Sequence, residues 1–154
     1  MWATIGSVIK HKEFETKTGG RFDILDITDD VAATVAETGI TDGSVLIFSP
    51  HTTCCVLISA SGNDIVETLA RTVAAIAPEH DYYEHDDLTV RTENLVEDEP
   101  ANGPAHIAHA VLGKASESVP VLAGRLGLGA GQRILLVELD SSRQRRYLVQ
   151  TMGE

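Results

Sequence analysis

Hydrophobic positions alternate loosely over residues 4–15, with Ile5, Val8, Ile9 and Phe14 apolar, which predicts a long half-buried strand. Thr18-Gly19-Gly20 reads as a turn, and residues 21–27 resume the alternation, so these two strands are expected to form a hairpin. Thr28, followed by Asp29 and Asp30, predicts a helix start with a capping hydroxyl and acids in the electropositive first turn. Val31 and Val35 share a face of that helix, and Gly39 supplies its stop. After the Asp42-Gly43 turn, residues 44–49 form a continuous apolar run, too short and too closely flanked by breakers for a helix, hence a buried strand. Pro50 interrupts, and residues 53–59 predict a second buried strand. Ser61 with Asp64 matches a capping box ahead of a helix carrying Ile65, Leu69, Val73 and Ile76, which ends at Pro78.

A polar stretch from His80 to Gly113 follows, and its end is helical: Gly103 can cap, Pro104 suits the first turn and Gly113 stops it. Residues 118–122 predict a short strand. Residues 132–140 and 145–151 are rich in β-formers, and the short turn between them predicts a terminal hairpin. Gly127-Leu128-Gly129-Ala130-Gly131 resembles a dinucleotide fingerprint only superficially, because a strand rather than a helix follows it. Long strands with two or three helices and no regular β-α-β alternation point to one α+β domain over residues 1–154, its sheet mainly antiparallel.

Composition adds exclusions. The 154 residues are 43% hydrophobic and 23% charged, within the range of an ordinary folded domain. Twelve Lys and Arg against 23 Asp and Glu give a net charge of −11, which repels phosphate backbones and anionic lipid, so neither nucleic acid nor membrane is an expected partner. The N-terminus lacks a basic segment followed by an apolar one, and no apolar run approaches the roughly 18 residues needed to span a bilayer. Cys54 and Cys55 are adjacent, an arrangement that strains a disulfide, so the chain reads as reduced and cytoplasmic.

Against that background three histidines stand out. His51 lies in Ser49-Pro50-His51-Thr52-Thr53, where a buried strand breaks and a functional group can sit on a rigid frame; a simple hydroxyl-bonded turn is the alternative. His85 opens the polar stretch and His106 lies on the short helix, with His109 three residues on. We expect His51, His85 and His106 to converge on one divalent ion, zinc by the chemistry of imidazole donors, with a fourth position for water or substrate. His11, between Lys10 and Lys12, and His80, in a loop, read as solvated. Asp86, Asp87, Asp98 and Glu99 can orient the imidazoles or move protons, Asp86 and Glu99 being the catalytic candidates. The two cysteines read as core residues facing opposite ways.

Taken in order, His51-Thr52-Thr53, Tyr83-Glu84-His85-Asp86, Asn102 to His106, Leu112-Gly113, Val119-Pro120-Val121, Gly124-Arg125-Leu126, Leu128-Gly129, Gln132, Glu138 and Val149-Gln150 resemble the YjbQ-like family. The resemblance covers nearly the whole chain. It implies an α+β sandwich-like fold, a homotrimer, and a metal site of His51, His85 and His106 near the subunit boundary. The family's label, secondary thiamine-phosphate synthase, implies joining a pyrimidine pyrophosphate to a thiazole phosphate, an activity regarded as weak. A divalent ion would neutralise the leaving group. The chain departs from the family in having Ser59-Ala60 for Asn-Glu and Gly131-Gln132 for Trp-Gln.

The function expected is therefore a metal-dependent enzyme acting on a phosphorylated small molecule, with Thr52, Thr53, Arg91 and Asn102 as substrate-binding candidates. A zinc-dependent hydrolase and a non-catalytic trimeric metal- or ligand-binding protein are the alternatives.

Overall fold

The computed structural model describes residues 8–96, 98, 100–112 and 114–154. The chain runs β1 (Val8–Lys17), β2 (Ile24–Asp26), α1 (Thr28–Thr38), β3 (Asp42–Phe48), β4 (Cys54–Ser59), α2 (Asn63–Ile76), a 3₁₀ turn (Glu84–Asp86), α3 (Gly103–Leu112), β5 (Ser116–Leu122), β6 (Arg125–Leu126), β7 (Arg133–Glu138) and β8 (Gln144–Gly153). One sheet has the order β1-β8-β3-β5-β6 and the other β2-β7-β4. Every pairing is antiparallel. The fold is α+β.

β4 and β7 explain the layering. Both carry apolar side chains on successive residues, which only a sheet covered on two faces can bury. Cys54 and Val56 on β4, with Ile134 and Leu136 on β7, join a core with Val45, Ile47, Val119, Val121, Tyr147 and Val149 of the larger sheet and Val31 and Val35 of α1. The alternate residues Cys55, Leu135 and Val137 pack instead against Val73 of α2 and Ala105 and Ala108 of α3. The small sheet is thus the middle layer, between the large sheet and two helices. The large sheet's other face carries Ile9, Phe48, Leu122 and Met152, all exposed in the single chain.

Several local expectations are corrected. β1 and β2 do not form a hairpin; β1 pairs with β8 and β2 with β7, in different sheets. β7 and β8 do not pair either, since β8 lies between β1 and β3. β3 is buried on one face only, at Val45 and Ile47, with Phe48 exposed on the other. Neither predicted helix cap forms: α2 begins after Gly62, and α1 after Ile27, with no capping side-chain bond. Gly113 lies outside the described residues.

At α1 the cap is replaced by a tie to the small sheet. The Thr28 amide (3.0 Å) and hydroxyl (2.6 Å) both donate to Asp26 Oδ1, while the Ile134 amide donates to the Thr28 hydroxyl (2.8 Å). Arg133 Nε donates to Asp26 Oδ2 at 2.6 Å. Partial burial pushes the Asp26 pKa up, but the Arg133 and Thr28 hydrogen bonds outweigh it and hold the carboxyl below its ordinary value. A depressed carboxylate stabilises the fold above its unfolded pKa, and that contribution disappears as pH falls through the folded value. Asp26→Asn should therefore cost about 1 kcal/mol at pH 7, this being a partly exposed pair with one further amide bond. In urea melts the gap to wild type should close below about pH 4, near the unfolded carboxyl pKa; a pH-independent gap would show that the charge contributes nothing.

Candidate functional site

His85 and His106 meet where the 3₁₀ turn packs on the first turns of α3. Their ring centroids are 4.4 Å apart, inclined by 36°. One carboxylate oxygen arranges both. Asp86 Oδ1 accepts from His85 Nδ1 at 3.1 Å and from the Gly103 amide, at the start of α3, at 2.8 Å. It fixes the His85 ring, so the atom His85 would present to a metal is Nε2, and it caps the helix that carries His106. The close approach depends on Gly103: a Cβ there would lie 2.5 Å from the Tyr83 Cβ and 3.0 Å from Asp86 Oδ2. Asp86 thus positions the pair, a carboxylate–imidazole arrangement typical of metal ligands.

The loop after His85 forms a wall beside it. Arg91 donates from Nη1 to the His85 carbonyl (3.2 Å), from Nε to that of Glu93 (3.1 Å) and from Nη2 to that of Asn94 (2.7 Å). Its guanidinium holds loop backbone on all three nitrogens. With Glu84, His85, Val90, Thr92, Glu93 and Asn94 it lines a cavity of about 430 Å³. Asp98 is exposed, and Glu99 lies outside the described residues.

His51 stands apart from this pair. Its Nε2 lies 3.1 Å from both the amide nitrogen and the carbonyl oxygen of Arg146, at the start of β8. With Nε2 taken by backbone, Nδ1 is the atom left to ligate, in the tautomer whose Nε2–H donates to that carbonyl. Burial first, then the Arg145 charge, pulls the His51 pKa below its ordinary value and keeps the ring neutral. Among the described residues of one chain, no three His, Cys, Asp or Glu side chains form a group that could hold a metal. One chain offers two imidazoles at one place and a third at another. His109 belongs to neither: its Nε2 is buried with no hydrogen-bond partner among the described residues, and burial lowers its pKa.

Between the two stations runs a buried polar path. Glu138, fully buried, accepts from Arg145 Nε on Oε2 (2.6 Å) and from Nη2 on Oε1 (2.6 Å). Arg145 Nη2 also donates to the Thr53 hydroxyl at 2.8 Å, so Thr53 is buried structure, whereas Thr52 is exposed. Glu138 Oε1 accepts the amides of Leu139 (3.1 Å) and Asp140 (3.0 Å), and its Oε2 accepts from the Thr18 hydroxyl (2.8 Å). Asp140 Oδ2 in turn accepts from Asn102 Nδ2 (3.0 Å), just before α3, and from Arg143 Nε (2.8 Å). Burial pushes the Asp140 pKa up, but these two donors outweigh it and the carboxyl stays depressed.

The ion pair was legible in part. Glu138 interrupts the apolar run 134–139, and Arg145 leads the inward alternation Arg145, Tyr147, Val149, Thr151. A charge on each inward pattern signals a buried pair. The family departures lie elsewhere: Ser59, next to Ala60, pairs with Arg133, near Gly131, at the end of β4 opposite the Cys54–Glu138 pair. Six strand residues put that end about 17 Å from Glu138 within the chain.

A layered α+β protein with a carboxylate-oriented pair of imidazoles is the class that fold and site define. The chain matches the family model described as UPF0047 protein YjbQ-like over residues 12–154, and it belongs to that family. An Archaeoglobus fulgidus UPF0047 protein is 35% identical over 140 residues, covering 91% of this chain and 99% of the relative. UPF0047 protein YugU of Bacillus subtilis is 34% identical over 144 residues, covering 92% and 98%. Among solved structures, a YbjQ-like protein of unknown function from Sulfolobus solfataricus P2 superposes with a TM-score of 0.84 at 28% identity, covering 96% of this chain and 99% of that one. A hypothetical protein from Aeropyrum pernix K1 follows at 0.81 and 29%, covering 94% and 99%.

Proposed function

We propose that the protein is a metal-dependent enzyme acting on a phosphorylated small molecule, with weak thiamine-phosphate synthase activity, and that its site closes only in a homotrimer. The observation that carries this reading is the His85–His106 pair, oriented by Asp86, in a chain whose third candidate imidazole lies at another place. The donors suit a borderline divalent ion such as zinc: imidazoles, one of them with a carboxylate on its other nitrogen.

The exposed apolar face of the large sheet supports assembly, because Ile9, Phe48, Leu122 and Met152 form material that a neighbouring copy would cover. His51 borders that face, lining a cavity with Glu15 and Arg146 on the outward side of the β1–β8 ladder. A neighbour that presented its His85 and His106 to that cavity would complete the ligand set with this chain's His51. When bound, a divalent ion would supply Lewis-acid neutralisation of phosphoryl charge. This chain's residues do the rest: Asp86 holds the His85 ring, Arg91 holds the wall beside it, and the Thr52 hydroxyl and Asn102 would bind substrate.

Elemental analysis of zinc-reconstituted protein tests the ligand set. His51→Ala, His85→Ala and His106→Ala should each weaken zinc binding about 100-fold or more, since losing a ligand exceeds losing its orienting partner. His11→Ala and His80→Ala should retain wild-type stoichiometry. Co-refolded His51→Ala and His85→Ala chains should regain part of the metal that neither holds alone, because some boundaries then pair intact halves. Full zinc content in any of the three ligand variants would sink the reading. Phosphate release from a simple ester with no second substrate would favour hydrolysis over synthesis.

A further inference from the structure

The substrate's charged group needs a place in a chain whose net charge is −11, where the general field repels anions and only local cations can hold one. Arg91 is poorly disposed for this, with all three nitrogens already donating to carbonyls. The other histidine station is differently furnished. A cavity of about 280 Å³ beside His51 is lined by Glu15, His51, Gln144, Arg145 and Arg146. The charges that act most on His51 there are Arg145, then Glu138 and Arg146, and Glu138 is fully buried behind its partner. Arg145 lends its charge to the cavity from the buried side, its guanidinium held by Glu138.

Arg146 supplies the adjustable donor. Its side chain is 56% exposed, and its one ion pair among the described residues, with Glu13 Oε2, is long at 3.7 Å. Such an exposed pair contributes little, so swinging the guanidinium into the cavity costs little. Arg146 and Gln144 alternate on the same face of β8, opposite Glu15 and Lys17 of β1, so a planar fork and a primary amide stand side by side. A guanidinium fork matches two oxygens of a phosphoryl or carboxylate group. Glu15 in the lining and Glu13 beside Arg146 are the unfavourable neighbours, and Lys17, two residues along β1 from Glu15, offsets part of their charge.

We propose that the cavity beside His51 is an oxyanion subsite, in which Arg146 and Gln144 bind the phosphoryl or carboxylate group of the substrate. This rests on the reading of the protein as an enzyme for phosphorylated molecules, and it moves the anion-holding role from Arg91 to Arg146.

Titration calorimetry on the full chain tests it with pyrophosphate and, separately, malonate, each with zinc-loaded and chelator-treated protein. Arg146→Gln should weaken binding of the preferred anion about tenfold or more, the loss of one charge-assisted fork, while Gln144→Ala weakens it less. Arg71→Gln, on the exposed side of α2, should leave the zinc-free affinity within about twofold. Thermal melts and the oligomeric state of Arg146→Gln should both match wild type, which separates lost contact from lost fold or assembly. Anion binding that depends on Arg146 in chelated protein supports the subsite even if no variant alters zinc content, in which case only the metal reading fails. Wild-type affinity in Arg146→Gln, or no binding of either anion, overturns the subsite whatever the zinc result. The better-bound anion identifies the group.

Discussion

Glu138→Ala should lower the unfolding free energy by about 3–5 kcal/mol, the usual consequence of leaving one member of a buried ion pair without its partner. The Arg145 side chain is 6% exposed and Glu138 0%, so water cannot replace the lost carboxylate. Arg145 would keep only the Thr53 hydroxyl, and the amides of Leu139 and Asp140 and the Thr18 hydroxyl would lose an acceptor. Relief of the chain's general negative charge acts in the opposite direction, but one charge in 11 is a small term beside an orphaned guanidinium. The double variant Glu138→Met with Arg145→Met should lose less than Glu138→Ala alone, since two apolar chains leave no stranded charge. Urea denaturation measures both, and a loss under about 1 kcal/mol for Glu138→Ala would show the pair to be far better hydrated than its burial implies.

Gly103→Ala should cost less stability, but it acts at the site itself. Alanine is the better helix former by up to about 1 kcal/mol, so propensity alone predicts stabilisation. The added methyl, however, would sit 2.5 Å from the Tyr83 Cβ and 2.9 Å from its Cγ. Those atoms are anchored to backbone, and the Tyr83 hydroxyl is itself tied to the Pro78 carbonyl at 2.9 Å, so α3 must retreat. Retreat breaks the Asp86–Gly103 bond and separates His106 from His85. We expect a net loss of about 1–3 kcal/mol, as for overpacking elsewhere, together with loss of zinc binding. Thermal melts and metal content of the one variant check both parts; a stabilised protein with intact zinc affinity would refute the close approach.

The elements were more legible than their neighbours. β4 announces itself by five apolar residues in a row, and α3 by Gly103-Pro104 ahead of an apolar face. Pairing is less legible because short turns usually, but not always, join partners. The burial patterns held the correction. β7 is apolar on both faces and must be covered twice, whereas β8 alternates and needs one cover. Two strands with such different needs do not sit side by side, and the five residues between them pass from the middle layer to the outer sheet. Thr18 fastens that crossing, accepting the Arg143 amide on its hydroxyl (3.0 Å) and donating its own amide to the Arg143 carbonyl (3.0 Å).

The sequence expectation joins His51, His85 and His106 at one site; within one chain the fold brings His85 and His106 together, with Asp86 beside the first, but not His51. What spacing could not supply was the separate station of His51. Residues 34 positions apart, His51 and His85, carry no information about whether they meet within a chain or across a boundary; that depends on which sheet face is left open. The role of Asp86 was also beyond reach, since only coordinates show one oxygen serving both a ring and a helix end.

The two adjacent thiols share one strand yet belong to different compartments of the interior. Cys54 looks into the packing between sheets and Cys55 into the packing beneath the helices, and burial pushes both up to about 12. An oxidant or alkylating agent therefore reaches either sulfur only after the corresponding layer has parted. Each cysteine is a sentinel for one seam of the molecule, and the order in which they succumb tells which seam opens first.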